Sequence, residues 1–209
     1  MPSLRSPLLH ALGLLTLSAL LPARLHAFQT VVIDAGHGGS DRGGIPGQHL
    51  CEKDLTLDVA RRLRENLDAA GFKTVMTRSS DATVPLAERV AVANRQRDAL
   101  FVSIHFNAAL RHSASGIETY YYAPAAGPIA ARIHRELVTT LPHEENRGVK
   151  QHRYFVLRKT RIPAVLAECG FLTNGSEGAR CLKPAHRQCL ADAIAAGIKA
   201  SASPATKRG

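Results

Sequence analysis

Apolar residues along this chain fall into short runs that stop abruptly at polar or glycine-rich stretches, separated by longer segments with helical spacing. The first run, residues 30–33, is β-branched and apolar. It ends in Asp34 and breaks into AGHGGSDRGG, the pattern of a buried strand that leads into a tight loop. Over residues 52–70, Leu55, Val59, Leu63 and Leu67 recur every four positions opposite Lys and Arg. That spacing predicts an amphipathic helix, stopped by Gly71. A strand over 72–77 ends at Arg78, and a helix over 85–97 opens on Pro85, a residue that suits a first helical turn. Residues 99–104 form a third strand closed by His105, 117–122 a fourth, and 128–140 a helix. The polar stretch 141–152 is expected to be loop. Residues 154–157 and 164–167 are expected as two short strands, the second closed by Glu168, before a last helix over 184–200. Strands alternating with helices, with no repeat or linker between them, predict a single α/β domain. Its sheet is mostly parallel and twisted, with helices on both faces.

The ends stand apart from this pattern. Arg5, the apolar run from Leu8 to Leu21, Pro22 and a small-residue site at Ala27 have the order of a secretory signal peptide, so residues 1–27 are expected to be removed. The apolar core is shorter than the roughly 20 residues that a spanning helix needs, so no stable membrane span is expected after cleavage. The folded domain is placed at 28–201, with a fraying tail at 202–209. Export brings the four cysteines into an oxidising compartment. Cys181 and Cys189, flanking a short connection with Pro184, are the candidate disulfide pair, whereas Cys51 and Cys169 either pair across the site or, the slightly better reading, are small buried fillers.

With 27 Lys and Arg against 17 Asp and Glu the chain is basic, and loss of residues 1–27 removes only Arg5 and Arg24 and no acid. A basic balance suits any polyanion. The charges are scattered, however, no nucleic-acid-binding motif is visible, and there is no Trp, which argues against nucleic acid; an anionic envelope polymer or membrane surface fits better, and charge kept for solubility alone fits the composition equally well.

Ligands of parallel sheets bind beyond the carboxyl ends of the strands. His37, His105 and Glu168 all fall at such ends, and Glu52 opens the first helix. Two histidines and a carboxylate with one open position are what a catalytic zinc requires. His37, Glu52 and His105 fit that set, which leaves Glu168 free to carry a proton. Competing chemistries fit less well. GHGGSDRGG matches neither GxGxxG nor a loop followed by GK[ST], Ser103 lacks a GxSxG elbow, and Cys169 should face away from His105.

These motifs, in this order, resemble the zinc-dependent N-acetylmuramoyl-L-alanine amidases of bacterial cell-wall remodelling. VVIDAGHGGSDRGG is similar to the stretch with the first ligand, CEKDLTLDVARRL to that with the second, and SIHFNA to that with the third. TRSSDATVPLAERVAVAN and FVLRKTRIPAVLAECGFLTNGSE are similar to the connecting and closing motifs. The resemblance implies one Zn²⁺ on His37, Glu52 and His105, catalysis by Glu168, and substrate contacts from Asn107 and Arg78. The amide cut would be the one between the lactyl group of N-acetylmuramic acid and L-Ala of the stem peptide. Peptidoglycan or muropeptides would be the partner, in the periplasm or cell envelope, with any protein activator unidentified. Cell-division members carry a long insert with a helix that blocks the zinc. The interval 122–154 is too short for one, so an open site is expected. The alternatives are a non-catalytic peptidoglycan-binding module and a zinc peptidase acting on another envelope amide.

Overall fold

The computed structural model describes residues 28–202, so the signal peptide expected at 1–27 and the tail beyond Ala202 lie outside the described residues. The first apolar run becomes β1 (Thr30–Ala35), with all six residues buried. The four-residue spacing that follows becomes α1 (Glu52–Ala69), whose Leu55, Val59, Leu63 and Leu67 are all buried. Next come β2 (Lys73–Met76), α2 (Leu86–Asn94), β3 (Ala99–Asn107) and β4 (Ile117–Tyr121). A 3₁₀ turn then leads into α3 (Gly127–Thr140), followed by β5 (Asn146–Gln151), α4 (Phe155–Lys159), β6 (Ala164–Phe171), α5 (Gly175–Cys181) and α6 (Pro184–Ala202). Six strands form one sheet in the order β2-β1-β3-β6-β4-β5. Every neighbouring pair is parallel except β4 with β6.

Alternation along β3 divides the molecule. Val102, Ile104 and Phe106 join the larger core cluster with apolar residues of α1, α3 and α6, while Phe101 joins the smaller one with residues of α2 and α4. Helices therefore cover both faces, as expected. His105 shares the phase of Phe101 and Ser103, so it emerges on the α2/α4 side, where the cover is thinner. No helix among the described residues is long and apolar enough to cross a membrane.

Three elements correct the sequence expectation. Within the expected loop at 141–152, residues 146–151 pair with β4 as an edge strand, although Val149 is their only aliphatic residue. Charged, weakly apolar sequences are how edge strands resist unwanted pairing, and the same trait hides them. The strand expected at 154–157 is instead the short helix α4, with Val156 and Leu157 buried. The unanticipated α5 starts at Asn174, whose side chain accepts from the backbone N–H groups of Ser176 and Glu177.

Candidate metal centre

The centre is assembled by the start of α1, the end of β3 and the loop after β1. Glu52 opens α1 and is 3% exposed. Its Oε1 accepts from the Phe106 N–H at 2.9 Å and its Oε2 from the Gly44 N–H at 3.0 Å, which fixes the carboxylate on both sides. His105 Nδ1 lies 3.0 Å from Oε1, and His37 Nε2 lies 3.1 Å from Oε2. The two imidazoles meet edge to face, with centroids 4.9 Å apart. His37 sits at φ 60, a left-handed conformation costly for a side-chain-bearing residue, and its Nδ1 is 2.8 Å from Asp41 Oδ2. Gly36 must lack a side chain, since a Cβ there would stand 2.4 Å from the His105 ring.

Two buried arginines hold this loop. Arg78 donates to the carbonyls of Ala35, Gly36, Lys53 and Ser80, and Arg89 to those of Ala35, His37 and Val84 as well as to Asp34. The substrate contact expected of Arg78 is therefore corrected. Arg78 is 4% exposed, its guanidinium is occupied by backbone carbonyls, and the residue does not line the cleft.

The donor set fits a zinc ion. Ligand atoms from His37, Glu52 and His105 lie within 4.8 Å of one another. The His105 and His37 nitrogens approach the two oxygens of Glu52 at 3.0 and 3.1 Å, so the three side chains already converge on one carboxylate. The Asp41 carboxylate on the far nitrogen of His37 is the partner that ligating histidines commonly have. Glu52 is held at about 2: burial opposes ionisation, but hydrogen bonds and charge from His105 and His37 outweigh it. His105 is raised to about 9, because the Glu52 contact exceeds the opposing effect of burial.

Glu168, on β6, stands directly opposite His105 of β3 in the sheet register. Its Oε2 is buried with no hydrogen-bond partner among the described residues. Burial raises the group to about 7; the His105 charge opposes this, while Glu52 and Glu118 add to it. Both residues line a cleft of about 540 Å³, with His37, Glu52 and Asn107. No residue from 123–153 lines this cleft. Asn107 Nδ2 donates to Glu118 Oε1 at 2.6 Å, so the amide at the cleft wall has a fixed orientation.

Asp41 and Glu118, which the structure sets against His37 and Asn107, are not among the residues that the sequence singles out. A carboxylate four positions after a candidate ligand in a glycine loop was a signal for Asp41. Nothing comparable marked Glu118, whose role depends on strand register. The expected disulfide is also corrected: all four cysteines are free thiols. Cys181 turns into the larger core cluster, and Cys189 on α6 lies outside it. Cys169 is in that cluster too, on the opposite side of β6 from Glu168, as strand alternation requires.

Residues 31–200 match the family model described as N-acetylmuramoyl-L-alanine amidase. The chain belongs to this amidase family. Among curated relatives, the amidase is 41% identical over 174 residues to the uncharacterised protein YqiI of Bacillus subtilis, covering 81% of this chain and 83% of that one. It is 37% identical over 170 residues to the N-acetylmuramoyl-L-alanine amidase LytC of the same organism, covering 79% of this chain but 34% of LytC, so it spans about a third of that relative. The catalytic domain of CwlV, an N-acetylmuramoyl-L-alanine amidase from Bacillus (Paenibacillus) polymyxa, superposes with a TM-score of 0.79 at 34% identity, over 83% of this chain and 97% of that one. The CwlD amidase of Clostridioides difficile, solved in complex with the GerS lipoprotein, gives 0.78 at 29% identity, over 83% and 98%.

Proposed function

We propose that this amidase is exported to the cell envelope. There, with one zinc ion on His37, Glu52 and His105, it hydrolyses the amide between the lactyl group of N-acetylmuramic acid and the stem-peptide L-Ala. The observation that carries the reading is Glu168 Oε2, a buried and unpartnered carboxylate oxygen beside an open cluster of two histidines and a glutamate. Bound zinc would polarise the amide carbonyl and lower the pKa of a water molecule. Glu168 would accept a proton from the attacking water and return it to the departing L-Ala nitrogen. Burial raises the Glu168 carboxyl, and a bound cation would pull it back toward the ionised form that accepts the proton. Asn107, oriented by Glu118, would hydrogen-bond the substrate at the cleft wall. Asp41 would hold His37 in its ligating orientation.

The test is digestion of purified peptidoglycan by metal-loaded protein beside a Glu168→Ala variant and a chelated sample, with products identified by mass spectrometry. Stem peptides with a free L-Ala amine, absent from both controls, are the expected outcome. Retained wall binding without cleavage by the zinc-loaded protein would favour the binding module. Cleavage at another amide would favour the peptidase.

A further inference from the structure

At the end of the sheet away from the cleft, the fold gathers cations that have no acidic partners. Arg97 and Arg161 stand just before β3 and β6, the neighbouring strands that carry His105 and Glu168. The C-terminal ends of α2 and α4 meet beside them, because the Asn94 side chain donates to the Lys159 carbonyl and accepts from the Arg161 N–H. Segments 95–98 and 158–161 are thereby brought together, with five cations and one acid between them. Arg95, Arg97, Lys159 and Arg161 are exposed, and Arg158 is half-buried. Among the described residues none of the five makes an ion pair, and neither does Asp98. Helix C-termini favour nearby cations, but each carries at most about half a negative charge, so a positive surplus remains.

The patch and the cleft lie at opposite ends of the same strands. From Ala99 to His105, β3 rises about 20 Å. The chain also enters the fold at the basic end: the N–H groups of Gln29 and Thr30 both donate to the Asp98 carbonyl, at 2.9 and 3.3 Å. In the sequence the apolar run from Leu8 to Leu21 precedes this point, and an extended chain from Leu21 to Phe28 reaches at most about 25 Å. A bilayer that holds this run is therefore nearest to the basic end of the domain.

We propose that Arg95, Arg97, Arg158, Lys159 and Arg161 dock the domain on an anionic lipid surface, with the cleft turned away from the bilayer. This rests on the export to the cell envelope that the proposed function includes. A wall strand bound to the patch would be held about 20 Å from the metal ligands, whereas lipid headgroups bound there leave the cleft open to its substrate. The attraction is Coulombic, and salt screens it.

The probes are vesicles of phosphatidylcholine alone and of phosphatidylcholine with about one third phosphatidylglycerol, sedimented with zinc-loaded protein recovered after export. Binding is expected to the anionic vesicles alone, and to fall as salt is raised from about 0.05 to about 0.5 M. Arg97→Gln/Arg161→Gln should weaken it about 30-fold, and Arg97→Lys/Arg161→Lys should retain it. Arg111→Gln/Lys183→Gln, on the connections that follow β3 and α5, should weaken it about threefold at most. Melting temperatures check that each variant is folded. Equal binding to both vesicle types, binding to neither, or equal losses from the two Gln pairs would overturn the docking surface. Weaker retention of Arg97→Gln/Arg161→Gln on purified peptidoglycan, with vesicle binding unchanged, would overturn it in favour of the wall polymer. Cleavage of peptidoglycan by the same samples tests the amidase reading separately, since vesicle binding needs no turnover.

Discussion

At Glu168 burial favours the neutral acid, His105 across the strand favours the carboxylate, and burial wins, leaving the group at about 7 against an ordinary 4.5. In metal-free protein the folded state therefore holds this proton more tightly than the unfolded chain does. The contribution is fully stabilising below about 4.5 and is lost as pH rises through about 7. A Glu168→Gln variant lacks this titration. Its stability relative to the parent, both chelated, should rise between those values by about 3 kcal/mol and then level off, as read from urea melts across the range. At Asp41 the expected change is in affinity: Asp41→Asn should weaken zinc binding about 10–100-fold in a competition titration against a chromogenic chelator. Residue type revealed the two histidines and two glutamates, because few side chains suit metal and proton chemistry at strand ends. It could not reveal that Arg78 points back into its own loop. An arginine's direction is set by which carbonyls need donors, and that depends on the tertiary fold.

For the elements, legibility followed burial. β1, α1, β3 and β6 carry the apolar periods of fully covered structure, and the site was legible because it hangs from these four. β5 at the sheet edge and the five-residue α4 were not, since neither buries enough side chains to impose a period. The same reasoning ranks their sensitivity to substitution. Leu63 on α1 is fully buried against the sheet, so Leu63→Ala should cost about 2–5 kcal/mol in urea denaturation. Gly36→Ala makes a different demand at the β1 turn, because its methyl group must displace the His105 ring. It should lower zinc stoichiometry, measured by atomic emission, more than it lowers the melting temperature.

Across the whole molecule, the ligand set joins parts of the chain that are distant in sequence. Glu52 and His105 are 53 positions apart, and His37 sits on a third segment. A metal ion held by all three and released on unfolding would stabilise the folded state by its binding energy. Chelation should lower the melting temperature, and added zinc should restore it, both followed by scanning calorimetry. The four thiols, in contrast, make no cross-link, two of them buried in apolar surroundings that raise their pKa and keep them inert. The fold thus draws none of its stability from cross-links between thiols, and under the proposed function it draws part of it from the supply of zinc. A thiol reductant should leave its melting curve where it was, while a competitor that withholds zinc would do to this protein what a reductant does to one stapled by disulfides.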